Sequence, residues 1–377
     1  MKKYLVSGVG VSNTGVGRLL RNLESEANSR GYQIISKRNR SIREMYREGR
    51  CIGAFWELLL RVITSLMFSL RLRVIKDSKV IFIHPQTAGY KNLFRLSSQN
   101  QVYLYVMDNS FFCIRSYNLH PLLEVECLNC LGDPSKALPE CTAYPVEISQ
   151  ALSKSYLYEL RSLSSKIIFL AQNENQKQLI RRHFGEKTRV VVVGLDTGET
   201  GDPRVSDTAL KSKGHKYDMV FHGAANLAKG VRFFIELAEY LSEFSAFVPA
   251  HRRDCERIMG RAITATNIDF VPCSWETGLK QAVLNSKLVF NPSLWSAPIE
   301  GALLKSLHYA KKVLVVESKF GYESEISAAH LVRIPRDIPS AAEAVRSELN
   351  TLSLEPCRYV HWRPSQKMDI FEAVESN

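Results

Sequence analysis

The 377-residue chain lacks a leader-peptide pattern. Met1-Lys2-Lys3 runs straight into the strand-like KYLVS with no small-residue cleavage site, which points to the cytoplasm. Nor does it have an uncharged apolar run long enough to cross a bilayer. The best candidate, CIGAFWELLLRVITSLMFSLRLRVIK (51–76), is interrupted by Glu57 and Arg61, and the stretch that follows is about half of the ~20 residues a span needs. Paired-His zinc-finger spacing, RRM-like aromatic motifs and basic-region heptads are missing, so the net charge of +12 has no nucleic-acid module to serve. That charge still favours an anionic partner, and a membrane surface or a phosphorylated substrate would fit it. An apolar content of 45% removes the case for disorder, and the length favours two domains.

Glycine is present where a phosphate loop would want it, yet neither common fingerprint is complete. In GVGVSNTGVGRLL (8–20) the dinucleotide pattern fails at Asn13, and the P-loop pattern has Val16 in place of its lysine. An NAD-dependent oxidoreductase is disfavoured on that ground. Gly15 and Gly17 would let the backbone approach a donor phosphate or an acceptor; the alternative is a strand-to-helix turn without a ligand.

Apolar runs rich in Val, Ile and Phe alternate with amphipathic stretches. They fall at 3–9, 80–84, 102–107, 166–171 and 189–194, then at 218–223, 244–250, 267–273, 287–293 and 311–317. Short, fully apolar runs separated by helices indicate buried parallel strands. The fold expected is α/β, with two doubly wound Rossmann-like domains facing a cleft. The first would span 1–197 with a Cys-rich loop at 113–141, the second 217–360, joined by a polar linker at 198–216 and closed by a helix at 361–377.

A basic arm, SKRNRSIREMYREGR (36–50), carries Arg38, Arg40, Arg43 and Arg47. With Trp56 and Arg61 of the next helix it suggests a peripheral contact with an anionic inner-membrane surface or a lipid substrate. The plainer reading is a core helix preceded by a solvated loop. Of eight cysteines, Cys113, Cys127, Cys130 and Cys141 lie within one stretch, and Cys127-x-x-Cys130 is a metal knuckle. A structural zinc site, free thiols and a disulfide are all open readings.

In the second half, Lys229-Gly230 stands where a loop gives way to a helix N-terminus, a natural anion site. KLVFNPSLWSAPIEGALLKSLHYAKKVLVV (287–316) repeats the arrangement, with Pro298 and Glu300 read into a first helical turn. Gly223, Lys229-Gly230, Pro292-Ser293, Trp295, Pro298 and Val313, together with VVVVGLDT (190–197) and GVSNTGVGRLL, follow a recognisable order. In that order the chain resembles GT-B-fold glycosyltransferases of the family-4 type, over most of residues 1–350. Two departures stand out: Ala225 or Asn226 replaces an expected arginine, and the two glutamates of the family's Glu-x7-Glu pattern fall on Ala297 and Lys305.

The resemblance implies a metal-independent transferase, with no catalytic cofactor, that uses a nucleotide diphosphate-sugar. Donor contacts would come from Gly15, Gly17, Gly223, Lys229, Arg252, Ser293, Pro298, Ile299, Glu300 and Gly301. Glu300, Lys229, Asp108 and His84 would form the catalytic group, Arg252 standing in for the missing diphosphate cation. The absence of a convincing Asp-x-Asp agrees with metal independence. The acceptor expected is a lipid-linked or other saccharide in bacterial surface polysaccharide assembly. A GT-B-like protein that binds a nucleotide or sugar without transferring it is the alternative. Nucleic acid is not an expected partner.

Overall fold

The computed structural model describes residues 1–12, 15–37, 49, 51–195, 216–329, 331–351 and 369–376. The chain forms two compact units: Met1–Ser116 with Asn129–Gly198 and Gln366–Asn377, and Tyr117–Leu128 with Glu199–Ser365. Residues 117–128 therefore cluster with the second unit, although in sequence they fall well inside the first.

The first unit holds a six-stranded parallel sheet built from β1 (Lys2–Ser7), β2 (Tyr32–Ser36), β3 (Ser78–Ile83), β4 (Gln101–Tyr105), β5 (Ile167–Ala171) and β6 (Val190–Val192). Its order is β2-β1-β3-β4-β5-β6. The second unit holds β7 (Tyr217–Phe221), β8 (Ala246–Val248), β9 (Ile268–Phe270), β10 (Ser286–Phe290), β11 (Val313–Val316) and β12 (Val332–Ile334). Here the order is β12-β11-β10-β7-β8-β9, again with every pairing parallel. Helices cover both faces of a parallel sheet, which is why β5 is buried along its whole length and reads as unbroken IIFLA. Of the four edge strands, β2 and β12 had no such signature, being only half buried.

One face of the first sheet packs Leu5, Ile81, Tyr103 and Ile168 against Leu19, Leu20 and Leu23 of the Gly15–Ser29 helix. The same cluster takes Ile370, Phe371 and Val374 from the helix Ile370–Glu375. Polar ties add to it: Lys3 and Arg30 bind Glu375 at 2.7 and 2.9 Å, and Lys79 Nζ donates to the Val374 carbonyl at 2.7 Å. In the second unit Phe221, Phe290 and Leu314 pack on Phe233, Phe234 and Leu237 of the Val231–Tyr240 helix.

Doubly wound sheets bind ligands at the carboxyl edge where the strand order reverses. In the first unit that point lies between β1 and β3, and in the second between β7 and β10.

Candidate active site

In the second unit β7 and β10 are adjacent and parallel, so the loops after Phe221 and Phe290 leave the same edge of the sheet. Gly230, at φ 73°, caps the Val231–Tyr240 helix; a Cβ there would lie 2.0 Å from the Pro292 carbonyl oxygen. Only glycine allows the two loops to touch. The contact brings the Lys229 ammonium into an ion pair with Glu300. Ser293 Oγ donates to both oxygens of that carboxylate, at 3.0 and 2.9 Å. Asn226, at one of the positions where the family would have arginine, accepts from the Lys229 backbone N–H at 2.9 Å.

Two aromatic rings complete the setting. The ammonium lies 5.0 Å from the Trp295 ring centre and 5.4 Å from that of Tyr117. The rings themselves are 4.6 Å apart, an attractive environment for a cation. Trp295 is buried, and among the described residues its Nε1–H has no hydrogen-bond partner. A buried donor left in that state costs about 1–3 kcal/mol, which an incoming oxygen would recover.

Pro298 and Glu300 do not sit within the helix as the sequence suggested. The helix runs Gly301–Tyr309; Glu300 is its N-cap in extended conformation, and Pro298 and Ile299 belong to the loop before it. The Glu300 side chain makes no cap hydrogen bond, because the carboxylate is turned to Lys229 and Ser293. Gly301 opens the helix, and its first turn offers backbone N–H groups beside this pair. Gly223 follows β7, with Phe221 and Lys229 side chains close to where a Cβ would stand.

Several residues of this neighbourhood had no sequence signal. Residues 117–128 form a brace: Asn118 donates to Ser296 Oγ at 2.8 Å and accepts from the Ser296 backbone N–H at 3.1 Å. Glu126 accepts from Ser296 Oγ and from the backbone N–H groups of Lys319 and Phe320, at 2.9 and 3.0 Å. Sequence separations of 170 to 194 residues leave no local pattern for such contacts. Glu323 is buried, and burial pushes its carboxyl up to about 7; Ser318 hydrogen bonds act against that, and the Glu300 charge adds to it. His222, just past β7, bonds Ser306 Oγ at 2.8 Å and stacks on Trp275 at 5.0 Å. Burial, and then Lys305, push its imidazole down to about 3, so it is neutral.

In the first unit the structure brings His84 and Asp108 into one neighbourhood. His84 directly follows β3 in a left-handed conformation, φ 58° and ψ 68°, which is costly outside glycine. Its Nδ1 meets Thr87 Oγ1 at 2.7 Å. Burial lowers its pKa, while the Asp108 carboxylate works in the opposite sense. Asp108 is buried after β4, accepting from the Ser110 N–H at 3.0 Å and from Gln86 Nε2 at 3.1 Å to both oxygens. Gln86 joins the pair unforeseen.

The glycine loop shows a different economy. A Cβ on Gly17 would lie 2.0 Å from Ser12 Oγ, so this glycine lets the loop fold onto its own helix. Gly15, at φ 50°, has no described residue within 4 Å of its Cβ position.

Arg252 is engaged elsewhere: its guanidinium donates to the Ile263 carbonyl at 2.7 Å and lies 4.7 Å from the Phe270 ring centre. Among the described residues no group of three or more His, Cys, Asp or Glu converges on a metal position. Cys127 goes with the second unit, in the 117–128 brace, whereas Cys113, Cys130 and Cys141 belong to the first.

Arg38, Arg40, Arg43 and Arg47 lie outside the described residues. Trp56 and Arg61 are on the helix Cys51–Arg73; contrary to the sequence expectation, this helix is long and apolar enough to cross a membrane by length and composition alone, because it continues unbroken through Glu57 and Arg61. Trp56 is 58% exposed, and Ile52, Phe55, Leu59, Val62 and Leu66 are exposed with it. Phe68 and Leu72 form its buried edge.

No family model and no curated protein sequence matches the chain. Solved structures do. Sucrose-phosphate synthase from Thermosynechococcus elongatus aligns with a TM-score of 0.57 at 11% identity, over 93% of this chain and 90% of that one. A UDP-forming α,α-trehalose-phosphate synthase from Burkholderia vietnamiensis gives 0.51 at 11%, over 93% and 90%. A trehalose-6-phosphate synthase studied for glycosyl transfer with retention gives 0.53 at 12%, over 93% and 92%. The chain thus has a GT-B glycosyltransferase-like fold built from two parallel six-stranded sheets.

Proposed function

We propose that this protein is a glycosyltransferase of the family-4 type. In this reading it moves a sugar, with retention and without a catalytic metal, from a UDP- or GDP-linked donor to a lipid-linked or saccharide acceptor. The setting is assembly of a bacterial surface polysaccharide (O-antigen, capsule or exopolysaccharide) at the cytoplasmic face of the inner membrane.

The observation that carries the reading is the Lys229–Glu300–Ser293 assembly at the switch point of the second sheet. When the bond from the anomeric carbon to the diphosphate oxygen breaks, its electron pair passes to that oxygen. Lys229 and the free N–H groups at the start of the Gly301–Tyr309 helix are the groups suited to that charge. Glu300 and Ser293 fix the ammonium before the donor arrives, and Glu300 is then free to accept from a donor hydroxyl. His84 and Asp108 of the first unit are assigned to orienting the acceptor. The UDP-forming and retaining neighbours favour the same donor class and outcome. The exposed apolar face of the Cys51–Arg73 helix favours a peripheral membrane contact and hence a lipid-linked acceptor.

A nucleotide-binding protein without transfer activity is the second reading, favoured by an ion pair that already neutralises Lys229. Thermal unfolding against UDP, GDP, CMP, ATP and NAD separates the classes. Ligand at 100 times its dissociation constant adds about 2.7 kcal/mol. A shift with UDP or GDP alone, abolished in Lys229→Ala, supports the donor site; transfer or hydrolysis of the matching nucleotide sugar then distinguishes enzyme from binder. A shift with NAD alone overturns the reading.

A further inference from the structure

Lys37 stands one residue past β2, at the carboxyl edge of the first sheet. Its ammonium is half-buried, donating to the Thr87 carbonyl and lying 5.3 Å from the Phe68 ring centre. Among the described residues no carboxylate pairs with it. Burial lowers its pKa, as expected where the described neighbours supply no counter-charge.

The same lysine lines a groove of about 480 Å³ together with Gly8, Arg61, Thr64 and Leu66. One wall is the turn after β1; the other is the Cys51–Arg73 helix. Val62 and Leu66 belong both to the groove and to the exposed apolar stripe. The stripe runs through Ile52, Phe55, Leu59, Val62, Leu66 and Leu70, at spacings of three or four residues. At 1.5 Å per residue it extends roughly 27 Å.

A polar, cationic groove thus opens directly onto a long apolar track. Bulk membrane docking would explain the track and would not need the groove. A free nucleotide or phosphate would explain the groove and would not need the track. We propose that the groove holds the phosphate head of a lipid, on Lys37 and Arg61, while its hydrocarbon chain lies along the exposed face of the Cys51–Arg73 helix. This inference rests on the lipid-linked acceptor of the reading above and says where the carrier's phosphate is held.

The test is co-sedimentation of the full chain with phosphatidylcholine vesicles doped with a long-chain isoprenyl phosphate. Parallel vesicles carry phosphatidylglycerol at equal negative charge, and inorganic phosphate is added as a competitor. The isoprenyl phosphate vesicles should bind at least about five-fold more tightly, the effect of roughly one additional lysine contact. Lys37→Gln should remove that preference while leaving phosphatidylglycerol binding within about two-fold. Leu66→Ser, at a position 62% exposed and therefore harmless to the core, should weaken binding to both vesicles. Equal binding to the two vesicles, or a preference that survives Lys37→Gln, overturns the proposal. Loss of the preference at inorganic phosphate no more concentrated than the isoprenyl phosphate would show that the hydrocarbon chain adds nothing, assign the groove to a free anion and overturn it too. Donor binding is read separately by the UDP and GDP shift: a lost shift with intact lipid preference defeats the transferase reading and leaves the groove standing.

Discussion

The two switch points of this molecule obey one topological rule and carry opposite chemistry. In the first unit the order β2-β1-β3 brings the carboxyl ends of β1 and β3 side by side. The groups there are His84, Gln86 and Asp108, a largely buried hydrogen-bonding set with one carboxylate. In the second the order β10-β7-β8 places the Lys229 and Ser293 loops together, with a cation set between two rings. In the reading proposed above, the first would accept from and orient a hydroxyl, and the second would meet negative charge once Glu300 turns from Lys229 to the donor. What differs is the loops, since both sheets supply the same edge.

Removing the cation should test that division most severely. Lys229→Ala is expected to lower transfer about 100- to 1000-fold, comparable to deleting one preorganised electrostatic contact, and to abolish the nucleotide-induced thermal shift. If the shift survives, the donor is held elsewhere and the comparison fails. Glu323 offers a stability counterpart. Its folded-state pKa of about 7 exceeds the ordinary 4.5, so the folded protein holds the proton more tightly than the unfolded chain. Its contribution is fully present below 4.5 and is lost as pH rises to about 7. Across that window wild type should lose on the order of 3 kcal/mol relative to Glu323→Gln, measured by urea unfolding at a series of pH values. A parallel pH profile for the two proteins would place Glu323 in contact with water.

On the first-unit side, Asp108→Asn should reduce turnover about 10- to 100-fold while leaving the nucleotide shift intact. Unchanged turnover would remove Asp108 from the site, and a lost shift would show that the two switch points do not divide donor from acceptor. The smallest effect concerns the loops themselves. Gly15→Ala should cost about 1 kcal/mol of unfolding free energy, from the left-handed backbone alone. Gly230→Ala should cost more, because its Cβ would also meet the Pro292 carbonyl at 2.0 Å. Equal costs would mean that the Lys229 and Ser293 loops can separate freely.

The central strands of both sheets were legible because a strand buried on both faces must be apolar throughout, as in IIFLA at 167–171. Edge strands β2 and β12 were not, since partial burial tolerates polar residues such as Gln33 and Arg333. Lys229, Ser293 and Glu300 could be named from the sequence because each lies between a legible strand and the start of the helix that follows it. His222 satisfies the same criterion and could have been found by it. Arg252 satisfies it as well, and it is committed to a carbonyl and a ring instead, so position after a strand selects candidates without selecting partners.

The sequence by itself determined the class of fold, the approximate division into two sheets, and which loops carry the charged groups, because burial period and loop chemistry are local. The tertiary structure alone decided that Glu300 stands at the N-cap position with its carboxylate turned to Lys229, that Tyr117 and Trp295 flank the ammonium, and that Glu126 ties Ser296 to Phe320. It also grouped Cys127 with the second unit and left the apolar stripe of the Cys51–Arg73 helix exposed. These contacts join residues far apart along the chain, and local patterns of polarity hold no record of a partner that only folding brings near.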